Sequence, residues 1–273
     1  MNLQTTRAEA FKALHERPGV FAIPNPWDTG SARYLQGLGF KALATTSSGH
    51  AWSHGLADGA QPRDAVLAHL RDIVAATDLP VNADFENGFG ADPQAVAQSV
   101  RLALDTGVAG LSIEDSTGDA ANPLFEIGVA VERLRAARGA IDAAGGDTLL
   151  VGRAENFFVG RPDLDDAIAR LKAYANAGAD CLYAPGIRTR EQIAAVVKAV
   201  APKPVNVIVG LAGVRFSVAE LGALGVRRIS VGSAMSRAAL GAFLRAAREM
   251  SEHGTFEFAR DAVPYAELNK LFG

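Results

Sequence analysis

"LPVNADFENGFGADPQAVAQSVRLALDTGVAGLSIE", residues 79–114, decides the fold. An apolar, partly β-branched run suited to a buried strand (79–84) leads into a segment of helical spacing that opens at Asp92-Pro93 and closes at Gly107. A second apolar run (108–114) follows at once. Strand, helix and strand in that order imply a parallel crossover. The same rhythm continues in both directions through "VFAIP" (20–24), "ALATT" (42–46), "TLLVGRAE" (148–155), "DCLYAP" (180–185), "PVNVIVG" (204–210) and "RRISVG" (228–232), with another helical segment at 161–178. These make eight candidate strands in 273 residues. An α/β chain of this kind predicts a (β/α)8 TIM barrel, which takes about 250 residues. A doubly wound open sheet shares the rhythm, but no GxGxxG follows the first strand.

No Ser-, Pro- or Gly-rich linker and no low-complexity tract divides the chain, so one barrel domain is expected over 1–273. Its C-terminal helical region, about 234–273, exceeds what closing a barrel requires. That region is expected either to lie across the barrel floor or to pack as an arm on another subunit.

The formal net charge of −3, with Lys and Arg scattered, excludes a long-range basic field, and nucleic acid is not an expected partner. One cysteine, Cys181, excludes an intramolecular disulfide framework and reads as a buried strand thiol. No apolar run reaches the roughly 18 residues of a membrane span, and the N-terminus has no uninterrupted signal-peptide core. A cytoplasmic protein without membrane contact is expected.

Catalytic groups of a barrel stand at the C-terminal ends of its strands. The residues there are Asn25, Ser47, Ser48, Gly49, Asp84, Glu86, Glu114, Asp115, Arg153, Glu155, Asn156, Tyr183, Asn206, Ser230 and Ser233. Side chains alternate along a strand, so Asp84 shares a face with Glu86, Ser112 with Glu114, and Arg153 with Glu155. Carboxylates converging on one mouth repel unless a cation sits among them. Two readings are open. A hard divalent ion, Mg2+ or alternatively Mn2+, would take one or two carboxylates directly and others through water. Alternatively Arg153 and other cations neutralise the acids in a salt-bridge network. The five histidines are spread through expected helices and loops, without zinc spacing.

The stretches "NPWDTGSARYLQGLGFKALATTSSG" (25–49), "HGLADG" (54–59), "NADFENGFG" (82–90), "LSIEDS" (111–116) and "VGRAENF" (151–157) resemble the isocitrate lyase and phosphoenolpyruvate mutase superfamily across nearly the whole chain. That resemblance implies a barrel whose eighth helix is exchanged between subunits, hence a homodimer or homotetramer. It also implies a bound magnesium ion, a small 2-oxo acid and chemistry through an enolate. Position by position, Asp84 matches the principal metal carboxylate, with Glu86 where many members have Asp. Asp58 and Glu114 match acids that hold the metal's waters. Ser48 and Gly49 match the loop whose amides take the substrate carboxylate, Arg153 matches the arginine that pairs with it, and Ser47 and Asn206 join the expected substrate-binding set.

The loop after the fourth strand departs from the family. The lyases that cleave isocitrate and methylisocitrate carry Lys-(Lys/Arg)-Cys-Gly-His there, and the phosphonomutases Lys-Thr-Asn; this chain reads "EDSTGDAANPLFEIG" (114–128), keeping only Asn122. The small residues of "TGDAANP" (117–123) suit a gate. The expected activity is a magnesium-dependent carbon–carbon lyase or decarboxylase acting on a small 2-oxo or 2-hydroxy carboxylate. Asn122, Tyr183 and Glu155 are its candidates for orienting the substrate or moving the proton. The alternatives are carbon–phosphorus chemistry, with Arg161 or Arg188 supplying charge, and a 2-oxo acid binder with little turnover. A fourth reading places a phosphate ester on the glycine-containing ends of strands seven and eight.

Overall fold

The computed structural model describes residues 3–90, 92–145 and 147–273. Eight strands run β1 (Phe21–Ile23), β2 (Leu43–Ala44), β3 (Val81–Asp84), β4 (Gly110–Glu114), β5 (Leu149–Arg153), β6 (Cys181–Tyr183), β7 (Val205–Ile208) and β8 (Arg228–Ser230). The helices are α1 (Leu3–Glu16), α2 (Thr29–Gly37), α3 (Ser47–Ser53), α4 (Arg63–Ala76), α5 (Pro93–Leu104), α6 (Ile127–Ala143), α7 (Leu164–Asn176), α8 (Arg190–Val200), α9 (Val218–Ala223), α10 (Ala234–Arg248) and α11 (Tyr265–Phe272). All eight expected strands are present.

Every strand pairing is parallel, in the order β1-β8-β7-β6-β5-β4-β3-β2. Between β2 and β1 the Ala44 amide donates to the Pro24 carbonyl at 3.0 Å, which brings the sheet round to a nearly closed barrel. Parallel strands alternate between the barrel interior and the helical layer. On β3, Ala83 joins the apolar layer under the helices, while Asn82 and Asp84 line the interior. The helices are fixed by local signals. Asp92 caps α5 by accepting from the Ala95 amide at 2.9 Å, with Pro93 in the first turn, and Asp163 caps α7 by accepting from the Asp166 amide.

The barrel floor is closed by α1, not by the C-terminal region. Phe11 packs with Ile23, Ala42, Ala44, Ala109 and Leu149. A Cβ at Gly110 would fall 2.6 Å from the Phe11 ring, so the plug requires glycine there. The expectation of a C-terminal helix across the floor is therefore corrected: that position is already filled. Ser236 alone is buried on α10, which exposes Leu240, Phe243 and Leu244, while α11 lies against α2 with Leu271 over Gly37. Among the described residues no helix is long and apolar enough to cross a membrane.

Candidate active site

The C-terminal ends of the strands open on a cavity of about 780 Å³. Asp58, Asp84, Glu86, Glu114 and Glu155 all line it, together with Arg153, Tyr183, Asn206, Ser47 and Ser48. Neighbouring strands set Glu114, Arg153, Tyr183, Asn206 and Arg228 in a continuous row of register.

Arg153 stands at the centre of the acids. Its Nη1 donates to Asp84 Oδ1 at 2.6 Å, Nη2 meets Glu114 Oε2 at 3.0 Å, and Nε donates to Glu155 Oε1 at 2.9 Å. Its guanidinium also lies 5.2 Å from the centre of the Tyr183 ring. Burial opposes its charge, but Glu155, Glu114 and Asp84 together hold it protonated, well above the usual guanidinium range. The second Asp84 oxygen accepts from the Ser47 amide at 3.0 Å, and Ser47 Oγ donates to Asp58 at 3.2 Å. One serine thus links the acid that ends β3 to one in the loop after α3.

The salt-bridge reading accounts for three acids and leaves two. The Glu86 carboxylate accepts no hydrogen bond from the described residues, only its backbone carbonyl being bonded, by the Glu114 amide at 2.9 Å, and Asp58 meets no cation directly. Burial, then Asp84 and Asp58, push the Glu86 carboxyl up to about 7. Burial and Asp84 raise Asp58, and burial with the neighbouring acids raises Glu114 well above the carboxylate range despite Arg153. Burial likewise raises Glu155. Of the five carboxylates that line the cavity, three pair with Arg153, and no ion pair among the described residues reaches Glu86 or Asp58. Glu86 also sits at φ +46°, a left-handed backbone uncommon for a side-chain-bearing residue, which aims its carboxylate into this crowd.

Negative charge in excess, offered on oxygen, fits a hard divalent ion. Among the described residues no three of His, Cys, Asp and Glu stand close enough to ligate one ion directly. The donor set therefore fits an ion such as magnesium that uses one or two carboxylates and keeps waters toward the others. It does not fit zinc, whose structural sites are closed by four nitrogen and sulfur ligands.

The remaining expected residues are placed unequally. Gly49 is buried away from the cavity, and its amide donates to Thr46 Oγ1 at 3.4 Å as part of the α3 cap. The expected amide pair thus narrows to Ser48, which lines the cavity. Asn122 lies outside the lining: its Nδ2 donates to Asp119 and its carbonyl accepts from Thr117 Oγ1 at 2.5 Å, inside a self-bonded loop. Ser116, Thr117 and Gly118 face the cavity instead. Asn206 donates to Ser230 Oγ at 2.9 Å and accepts from Arg228 Nε at 2.9 Å. Burial raises the Tyr183 phenol, so it is a hydrogen-bond donor rather than a base.

Sequence reading did not single out Arg228, Arg237, Trp52 or Phe158, all of which line the cavity. Arg228 was legible in principle, since it shares a β8 face with Ser230. Arg161 and Arg188 are exposed and do not reach the cavity. The phosphate reading of strands seven and eight is not supported, because the Val231 and Gly232 amides both donate to Asn25 Oδ1 at 2.9 Å. The histidines are less scattered than expected. His50 and His69 stack at 3.7 Å, with His54 at 4.6 Å from His50, because α3 packs on α4. Burial first, then the neighbouring rings, lowers His50 to about 4 and His69 to about 3.

Removing Arg153 strands three acids. Arg153→Met is expected to cost about 3 kcal/mol or more in stability, the usual penalty for breaking a buried ion pair. Thermal melts check this, and a melt unchanged from wild type would contradict it.

Comparison with known proteins agrees with this geometry. Residues 11–251 match the model of the phosphoenolpyruvate phosphomutase family. A protein of Burkholderia cenocepacia J2315, named provisionally as a lyase/mutase, is 56% identical, covers 99% of this chain and 98% of its own, and superposes with a TM-score of 0.97. The structure of 2,3-dimethylmalate lyase, described as a member of the PEP mutase/isocitrate lyase superfamily, is 27% identical over 100% of this chain and 95% of its own, with a TM-score of 0.86. An oxaloacetate decarboxylase of Bradyrhizobium sp. (strain ORS 278) is 31% identical over 74% of this chain and 66% of its own. This chain belongs to the phosphoenolpyruvate phosphomutase family, in the isocitrate lyase/PEP mutase superfamily of mutases and of lyases acting on small carboxylates.

Proposed function

We propose that this protein is a magnesium-dependent carbon–carbon lyase or decarboxylase of small 2-oxo or 2-hydroxy carboxylates. The observation that carries the reading is the surplus of carboxylates around Arg153, with the Glu86 carboxylate paired to none of the described residues. Asp84 and Glu86 would hold the ion directly, and Asp58 and Glu114 would hold its waters. When bound, the ion would supply Lewis acidity to the substrate's 2-oxygen and stabilise the charge that develops as the bond beyond it breaks.

The chain's own groups do the rest. The Ser48 amide would bind and orient the substrate carboxylate, and Arg153 would supply positive charge beside it. Ser47, whose amide and hydroxyl are engaged by Asp84 and Asp58, would position those acids rather than the substrate. Tyr183 and Asn206 offer donors along the far wall. In a 2-hydroxy acid the hydroxyl gives up one proton as the bond breaks, and the departing carbanion takes one up. Glu155, in the cavity wall, would carry that proton from the one to the other. The loop 116–126 excludes water from above. It brings no Lys or Arg to the cavity, which disfavours a phosphonate trianion. Arg228 and Arg237 at the cavity wall favour the carbon–phosphorus alternative.

The test is an NMR product assay with oxaloacetate, substituted malates, methylisocitrate and phosphonopyruvate, each with Mg2+ and with EDTA. Magnesium-dependent release of pyruvate or glyoxylate from a carbon acid is expected. Phosphate or phosphoenolpyruvate formed from phosphonopyruvate would move the site to carbon–phosphorus chemistry. Saturable ligand binding without product would leave a 2-oxo acid binding protein.

The same reading includes a homodimer or homotetramer built through α10. Leu240, Phe243 and Leu244 are exposed, Phe243 at 66%, and an apolar stripe of this kind is a common interaction surface. Phe243→Glu is expected to convert the oligomer to monomer in light scattering. A wild-type chain that is already monomeric would contradict the assignment.

A further inference from the structure

Behind the cavity wall, two buried arginines with no part in the chemistry above hold the loops that carry the acids. Arg133, from α6, is 1% exposed, and Arg170, from α7, is 7% exposed. Nη1 of Arg133 donates to the Gly90 carbonyl and Nη2 to the Asn87 carbonyl, each at 2.6 Å. These carbonyls belong to the turn that keeps Glu86 and Phe89 at positive φ. The same guanidinium lies 4.2 Å from the centre of the Phe125 ring, at the base of the 116–126 loop.

Phe125 is gripped from its other side as well. Nη1 of Arg170 donates to the Phe125 carbonyl at 2.7 Å and to Asp115 Oδ2 at 3.1 Å, and the Phe125 amide donates to the Asp115 carbonyl at 2.9 Å. Asp115 in turn accepts from the Glu155 amide at 2.8 Å and from the Tyr174 hydroxyl at 2.5 Å. One connected network therefore ties together the turn bearing Glu86, the loop after β4 and the segment bearing Glu155. A guanidinium buried against carbonyls is costly to desolvate and supplies little net stability, so its retained value lies in fixing geometry.

We infer that Arg133 and Arg170 are positioning residues: they hold Glu86, Glu155 and the 116–126 loop in register without touching the ligand. The inference rests on the proposed metal site only for its effect on ion affinity, since the clamp on the loops stands apart from it. Glu86 keeps its strained backbone because Arg133 pins the Asn87 and Gly90 carbonyls of the turn that follows it. Without that pin the turn relaxes and the Glu86 carboxylate leaves the cluster.

The test uses full-length Arg133→Met and Arg170→Met, with Ile141→Ala as a destabilising control in the core beneath α6. Hydrogen exchange is read in the metal-free protein. Arg133→Met is expected to deprotect residues 86–90 and 116–126, and Arg170→Met residues 116–126 and 155–163, while the control leaves these segments as in wild type. Manganese affinity, read by the EPR signal of the free ion, is expected to weaken about 10-fold or more in Arg133→Met, the usual effect of removing a group that orients a metal ligand. It is expected to stay unchanged in the control. Unchanged exchange in both arginine variants, or equal loop deprotection in the control, overturns the inference. A wild-type protein that binds no manganese sinks the metal reading, and the exchange result still decides the clamp.

Discussion

Asp84→Ala is expected to lower magnesium-dependent turnover by about 10³-fold or more, because the lost charge stabilisation amounts to several kcal/mol at about 1.4 kcal/mol per decade. Asp84 is the acid best fixed in space. Arg153 binds one of its oxygens at 2.6 Å and the Ser47 amide the other at 3.0 Å, so it would present a ligand whose orientation is set before any ion arrives. The barrel should survive the change, since Arg153 keeps Glu114 and Glu155 and one like charge leaves a crowded cavity. Asp84→Asn separates charge from shape: it retains the size and an acceptor and should lose nearly as much activity. The check is kcat for both variants beside their far-UV spectra. Full activity in either would remove Asp84 from the metal role.

The second large effect is on pH dependence and centres on Glu86. Its carboxyl rises from 4.5 to about 7 in the fold, through burial, Asp84 and Asp58. Between those values the folded chain holds a proton that the unfolded chain has released. Glu86 therefore favours the fold below about 4.5, and that contribution is lost as pH rises through about 7. The raised carboxyls of Asp58, Glu114 and Glu155 act in the same direction. In EDTA the melting temperature should fall as pH rises across this window. Metal affinity should run the other way, because the ion must displace the proton: below pH 7 it should weaken by roughly tenfold per unit, the dependence for release of one proton. Calorimetric titration of Mg2+ from pH 5.5 to 8 checks this. Glu86→Gln should bind weakly at every pH and show a flatter melting profile, whereas an unaltered slope would mean that another group takes the proton.

Much of this site was legible because strand ends in a barrel converge whatever the loops do. Asp84, Glu114, Arg153, Tyr183 and Asn206 lie on strands, and alternation alone sends them inward. Glu86 reached the right place for a different reason. β3 ends at Asp84, so the shared face assigned by alternation stops there; a left-handed turn held by Arg133 aims Glu86 into the cavity. Gly49 and Asn122 were misplaced because both sit where local hydrogen bonding decides orientation. The Gly49 amide is absorbed by the Thr46 cap, and Asn122 by a turn built on Thr117 and Asp119. Arg237 and the stacked histidines depend on how helices pack across tens of residues, which periodicity does not reveal.

The fold shows the same division. The rhythm of strands and helices predicted the barrel, and Asp92-Pro93 marked the start of α5 to within a residue. Of the two positions open to the C-terminal region the floor proved to be taken by α1, and the apolar spacing of α1 does not say which barrel mouth Phe11 will enter. Only Gly110, whose missing side chain makes room for that ring, records the choice.

The central claim is that a divalent cation answers the surplus of carboxylates and makes the cavity competent for a small 2-oxo acid. The most direct measurement is calorimetric titration of oxalate, a planar dianion shaped like the enolate of pyruvate, into the protein with Mg2+ and again with EDTA. Binding that requires Mg2+ and disappears in Asp84→Ala is the predicted result. Equal affinity in EDTA would show that the arginines and amides suffice to hold the anion, and would contradict the account.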